Sequence, residues 1–382
     1  MKVAVLGYGT VGVGVYEMLQ AAEGLEAGPV LVRPGKVNEP FKVDSIEAIT
    51  GDATVDAVAE VMGGVEPAFT YALAAIQAGK HFVTSNKALV AAKGVELNRA
   101  ARENGVAFLF SAACGGGVPI LHNLARAVET DEILSVGGIL NGTTNFMLDN
   151  MQRFGLDYGD ALRQAQELGY AEADPTADVS GLDALRKIML GCATAYNLLP
   201  TEGLCREGIE SLTAADVRDL QSRQLVCRLL GRAGLSENGR LFAYIQPVLV
   251  SDTAPEAAVR KNFNLAYYVG QNAGLIRLMG QGAGRYPTAS ALLRDVCDLK
   301  RGARSMMRAD CERAAADNDV PRCRYYVRLP KSKADALRFE SLTEDEDDVR
   351  GITETLPVSR MHAIAETIRG EGCKLFFAAL EE

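Results

Sequence analysis

The chain opens on an apolar run, Val3–Leu6, long enough for a strand and too short for a buried helix. A glycine cluster follows, then Val15, Met18 and Leu19 at helical spacing. The alternation continues. Pro29–Val32 reads as a second strand, and VDAVAEVMGG (55–64) as a buried strand ending in glycines. Ala68–Ala78 has a helical pattern, HFVTSNKA reads as strand then turn, Ala91–Glu103 as a helix, and VAFLFSA (106–112) as one more strand. Strands alternating with helices predict an α/β domain built on a doubly wound parallel sheet. It is expected over residues 1–130.

The pattern then changes. ILSVGGILNG (133–142) is strand-like and runs into the turn-rich NGTTN. Helical stretches are expected around 159–169, 181–197 and 213–233. LFAYIQPVLV (241–250) reads as a strand, and LAYYVGQNAGLIRLMG as two strands around a Gly/Asn turn. This is an α+β second domain, 131–305, whose last helix, Ala289–Lys300, is expected to return to the first domain. From Arg322 the pattern is strand (RYYVRL), acidic loop (TEDEDD, 343–348), amphipathic helix (VSRMHAIAETIRGEG) and strand (KLFFAAL), a small α+β module over 322–382.

Composition narrows the classes. The 382 residues are 48% hydrophobic and 23% charged, as for globular proteins. A net charge of −9 with no block of Lys or Arg argues against nucleic acid and anionic membranes as partners. Eight cysteines lack CxxC pairs, and with three histidines they offer no zinc-ligand spacing. No apolar run is long enough to span a bilayer, and the strand at residues 2–6 leaves no room for a leader. These features together predict a cytoplasmic protein.

The candidate chemistry lies in loops. Gly7, Gly9 and Gly12 form GxGxxG between a strand and a helix, the context in which that pattern cradles a pyrophosphate. The second strand is followed by Arg33 and Lys36, where an NAD-preferring site usually carries an acid. These cations either hold a 2′-phosphate, favouring NADP or both cofactors, or are solvated surface charges. Lys87 follows a strand of the parallel sheet, where loops face the ligand crevice. AACGGGVPI (112–120) and LNGTTNF (140–146) bring small residues and exposed backbone, suited to a nicotinamide or a monovalent cation, or simply to turns. The densest stretch is GYAEADPTADVSGLDALRK (169–187). Glu172, Asp174, Asp178 and Asp183 lie within twelve residues, and Pro175 keeps them off one helix. Asp183 and Lys187 share a face of a helix that is apolar nearly all round, so they form either a structural buried ion pair or a site.

Five motifs in order, GYGTVG, TSNKA after EVMGG, LNGTTNF, LGYAEADPTADVSGLDALRK and GQGAGRYPTAS (280–290), give the chain a resemblance to homoserine dehydrogenases over residues 1 to about 305. The resemblance implies a Rossmann-type domain, an α+β substrate and dimerisation domain, and reversible NAD(P)-dependent interconversion of L-aspartate 4-semialdehyde and L-homoserine. It implies Lys187 as catalytic lysine with Asp183 as its partner, and Lys87 between nicotinamide and substrate. Glu172, Asp178 and Thr143 would meet the substrate. Gly7, Gly9, Thr10, Val11, Gly12, Gly63, Lys87 and Gly284 would meet the cofactor, with Arg33 and Lys36 at its 2′ end. A sodium ion would sit on backbone carbonyls of Ser111, Cys114, Gly116 and Val118, although many members carry Glu where this chain has Ser111. A homodimer or homotetramer is expected. The tail stands where many members carry a regulatory ACT domain and is shorter in its middle, a pared-down ACT-like module. Two other readings remain: a Rossmann oxidoreductase on another small amino or hydroxy acid, and a nucleotide-binding regulator without turnover.

Overall fold

The structure is a computed structural model and describes residues 1–381. The chain divides into two compact units, each assembled from three separate stretches. The first comprises Met1–Ile133, Met189–Leu199 and Gly280–Arg313; the second comprises Leu134–Ile188, Pro200–Met279 and the chain from Ala314 on.

The first unit is a six-stranded parallel sheet of β1 (Lys2–Leu6), β2 (Glu26–Leu31), β3 (Lys42–Val43), β4 (Ala57–Glu60), β5 (His81–Thr84) and β6 (Phe108–Leu109). Its spatial order is β3-β2-β1-β4-β5-β6, the doubly wound arrangement whose order reverses beside β1. β1 and β4 are buried along nearly their whole length, as strands covered on both faces must be. The helices Thr10–Ala21 and Arg285–Lys300 close one face, with Val15, Leu19, Leu292 and Val296 in a common core. The helix after β5 starts at Lys87 rather than at Ala91, because Asn86 caps it by accepting from Leu89 N–H at 3.1 Å.

The second unit carries a ten-stranded mixed sheet. From one edge the strands are Gly274–Gln281, Phe263–Gly270, Ile133–Ile139, Leu225–Leu235, Leu241–Ser251, Phe376–Leu380, Tyr325–Pro330, Asp348–Thr353 and Phe339–Glu344, with Cys205–Arg206 beside Leu241–Ser251. The stretch expected as one helix over 213–233 is instead the helix Ala214–Ser222 followed by the strand Leu225–Leu235. Gln224, at φ +59°, ends the helix. The acidic run also departs from expectation: Thr343 and Glu344 finish a strand, and only Asp345–Asp347 remain as turn. The tail's strands join this sheet directly. Val248 pairs with Ala379 across the boundary expected near 322, and Leu249 with Leu380. Leu230 and Val248 share one core with Tyr325, Met361 and Phe377.

Candidate active site

The glycine-rich turn after β1 has a geometry that suits a phosphate. Gly7 has φ +103°, and its N–H donates to Leu31 carbonyl at 3.0 Å. A Cβ on Gly12 would lie 2.2 Å from Gly7 carbonyl oxygen, so only glycine lets the helix approach the strand this closely. A Cβ on Gly9 would meet nothing within 4 Å, so the turn is open on that side. Gly9 is the residue before the helix, and Thr10, Val11 and Gly12 supply its first-turn N–H groups. Such groups lack intrahelical partners and attract anions. Gly63 lies on the loop after β4, exposed, with φ +80° and open space around it. Gly284 precedes the helix Arg285–Lys300 and is exposed. Arg33 and Lys36 are exposed on the loop after β2. These residues fit a dinucleotide: an open turn, helix-end donors and two cations on the loop after the neighbouring strand β2.

The loop expected to hold a cation, Ser111–Val118, is almost wholly buried. Ser111 and Val118 carbonyls accept from Cys114 and Ile120 N–H at 3.4 and 2.9 Å, which leaves each oxygen a second lone pair. The Ser111 hydroxyl donates to the Asp295 carboxylate, and its N–H does so at 2.9 Å. Asp295 is 2% exposed, and burial pushes its carboxyl up to about 7. Asp298 and His122 stand beside it, and one ligand atom from each of the three lies within 4.8 Å of the others. His122 Nδ1 is 3.1 Å from Asp298. Together the three side chains offer one imidazole nitrogen and two carboxyl oxygens to a shared ion.

The second unit holds the other constellation. Lys187 and Asp183, on the helix Leu182–Ala195, are each 8% exposed and 2.8 Å apart. Lys187 Nζ also donates to Leu140 carbonyl. Asn141 Nδ2 donates to Asp183 at 2.9 Å and to Asp178 at 2.7 Å. Its Oδ1 accepts from Thr144 N–H at 2.8 Å, capping the helix Gly142–Phe154. One amide thus holds two carboxylates and is itself fixed by a helix end. Thr143 Oγ1 lies 2.6 Å from Tyr170 carbonyl and 3.1 Å from Asp178. Burial, and then the Asp183 charge, raise the Asp178 carboxyl above its usual range, against the Asn141 bond. Glu172 and Asp174 are exposed and do not join this cluster; Asp174 accepts from Thr176 N–H at 3.1 Å.

The sequence reading missed two residues, Asn141 and Glu60. Asn141 stood inside the quoted LNGTTNF, but its role depends on contacts 37 and 42 residues away. Glu60 lay inside VDAVAEVMGG (55–64), a run read only as a buried strand. An acid within an apolar run read as buried was the available signal, since such a charge must find partners.

Comparisons with known proteins converge on one family. Residues 7–111 match the model "Homoserine dehydrogenase, NAD binding domain", and residues 119–297 match "Homoserine dehydrogenase". The homoserine dehydrogenase of Synechocystis sp. is 40% identical over 317 residues, covering 78% of this chain and 73% of the relative. That of Lactococcus lactis is 33% identical over 373 residues, covering 91% and 87%. A crystal structure of a homoserine dehydrogenase from Thiobacillus denitrificans superposes with a TM-score of 0.88 at 30% identity, covering 100% of this chain and 98% of the other.

Proposed function

The chain belongs to the homoserine dehydrogenase family, and from that premise we propose how its own residues run the reversible, NAD(P)-dependent interconversion of L-aspartate 4-semialdehyde and L-homoserine. The observation that carries the reading is the buried Lys187–Asp183 pair held by Asn141. A buried ion pair gives little stability over an apolar helix, so its retention favours a chemical role.

A bound dinucleotide would supply or accept the hydride. Gly7, Gly9, Thr10, Val11 and Gly12 would hold its pyrophosphate, Gly63, Lys87 and Gly284 would flank it, and Arg33 and Lys36 would take a 2′-phosphate. During reduction, negative charge grows on the aldehyde oxygen. Lys187 stabilises that charge and delivers the proton at Nζ; in the oxidative direction the same nitrogen, deprotonated, accepts the hydroxyl proton. Asp183 holds Lys187 in one rotamer, and Asn141 holds Asp183. Asp178, Thr143 and Glu172 bind the amino-acid part of the substrate; Glu172, exposed on its loop, does so as an approaching ligand's contact. Carbonyls of Ser111, Cys114, Gly116 and Val118 would hold a monovalent cation.

The protein acts as a homo-oligomer. The edge strand Gly274–Gln281 alternates in exposure and presents Leu275 and Met279, at 45% and 63% exposed, on either side of Arg277, two apolar side chains suited to a second copy. Among the described residues, no helix is long and apolar enough to cross a membrane.

The test is initial-rate oxidation of L-homoserine with NADP and with NAD, each with and without sodium or potassium. Reduced-nicotinamide absorbance is expected, with NADP preferred if Arg33 and Lys36 act as assigned. Cofactor binding without turnover under varied salt and pH would move the regulator reading to the front.

A further inference from the structure

Glu60 ends β4 at the centre of the parallel sheet and is fully buried. Its carboxylate accepts four hydrogen bonds. Two come from the loop just after β4: Met62 N–H at 2.7 Å and Gly63 N–H at 3.3 Å. Two come from the end of β5 and the loop after it: Thr84 Oγ1 at 2.5 Å and Asn86 Nδ2 at 3.4 Å. The same segments are tied to each other around it. Asn86 N–H donates to Thr84 Oγ1 at 2.8 Å, Asn86 Nδ2 to Gly64 carbonyl at 2.6 Å, and Ser85 N–H to Glu60 carbonyl at 3.2 Å. Asn86 then caps the helix whose first residue is Lys87.

A buried carboxylate with only uncharged donors is costly to keep, and burial does raise this one above its usual range against those bonds. An apolar residue would complete the sheet more cheaply. What the carboxylate adds is connection: it reaches both the glycine turn and, through Thr84 and Asn86, the segment that leads into Lys87. We propose that Glu60 is a positioning residue that locks the Gly63–Gly64 turn and Lys87 into one frame for hydride transfer. This rests on the role given to Lys87 above.

The test uses the full-length protein, with variants Glu60→Ala and Glu60→Gln. Turnover of homoserine is measured at saturating cofactor, beside melting temperature and reduced-cofactor affinity by nicotinamide fluorescence. In Glu60→Ala kcat is expected to fall about 100-fold, the cost of roughly 1 Å of misplacement, with a smaller change in homoserine KM. Glu60→Gln keeps the side-chain length and an acceptor, and is expected to restore kcat to within about tenfold. A lower melting temperature with unchanged kcat per folded molecule would overturn the proposal. Both changes are repeated in Lys87→Ala, by single-turnover rates. If Glu60 acts through Lys87, its loss costs little more there; an equal loss in both backgrounds overturns the inference and leaves the role of Lys87 standing. Wild-type turnover in Lys87→Ala itself would instead remove the reading on which the proposal rests, and the proposal with it. Should Glu60→Ala fail to fold, Thr84→Val, which deletes one bond to the carboxylate and the acceptor for Asn86 N–H, is expected to lower kcat less but with the same dependence on Lys87.

Discussion

At the scale of single residues, the candidate site rests on Lys187. Its replacement by alanine is expected to lower turnover on the order of a thousandfold, as loss of a general acid does. Cofactor affinity should change little, because the residues proposed for the cofactor are elsewhere in the chain; an equal loss of cofactor binding would make the lysine structural. Asn141 makes a second case. Asn141→Asp places a third carboxylate against Asp178 and Asp183, so it should cost more kcat than Asn141→Ala, and comparison of the two separates charge from the lost cap. Asp295 gives a pH signature. Its folded-state carboxyl, near 7, lies above the ordinary 3.8, so the folded chain holds that proton more tightly. The associated stability is full below about pH 4 and is lost as pH rises through about 7, by up to about 4 kcal/mol. Urea midpoints at about pH 5 and about pH 8 should therefore move against the wild type relative to Asp295→Asn; a constant gap between the two would reject this assignment.

At the scale of elements, much of the architecture was legible because its signals are local. A four-residue apolar run, a GxGxxG and a helical repeat need no distant partner to be read. The stretch 213–233 shows the limit. Val226, Leu229, Leu230 and Ala233 recur at helical spacing, yet all four lie in a strand buried on both faces, where periodicity says nothing. Polar side chains with distant partners, Glu60 and Asn141, failed to show for a related reason: their meaning is a set of hydrogen bonds that only the fold assembles. That same strand supports the helix of Lys187. A Cβ on Gly231 would lie 2.5 Å from Ile188 Cγ1 and 2.6 Å from Ile245 Cδ1. Gly231→Ala should therefore push on the residue next to Lys187, costing about 1–3 kcal/mol in stability and lowering kcat with it. Unchanged values for both would mean that the two isoleucine ends simply rotate away.

At the scale of the whole molecule, the edge strand Gly274–Gln281 makes association testable. Replacing Leu275 and Met279 together by glutamate should shift sedimentation toward the monomer, and a sedimenting monomer in the wild type would contradict the assembly outright. The last consequence concerns time rather than energy. The unit that carries the glycine-rich turn is not contiguous: its first 133 residues are completed by 189–199 and by 280–313. The helix Arg285–Lys300, which covers Val15 and Leu19, emerges from the ribosome long after the sheet it covers. A nascent chain therefore waits through the synthesis of most of the second unit before its nucleotide cradle can close. Ribosome-bound chains arrested before residue 280 should present that unit in a protease-sensitive form, and chains arrested well beyond residue 313 should not.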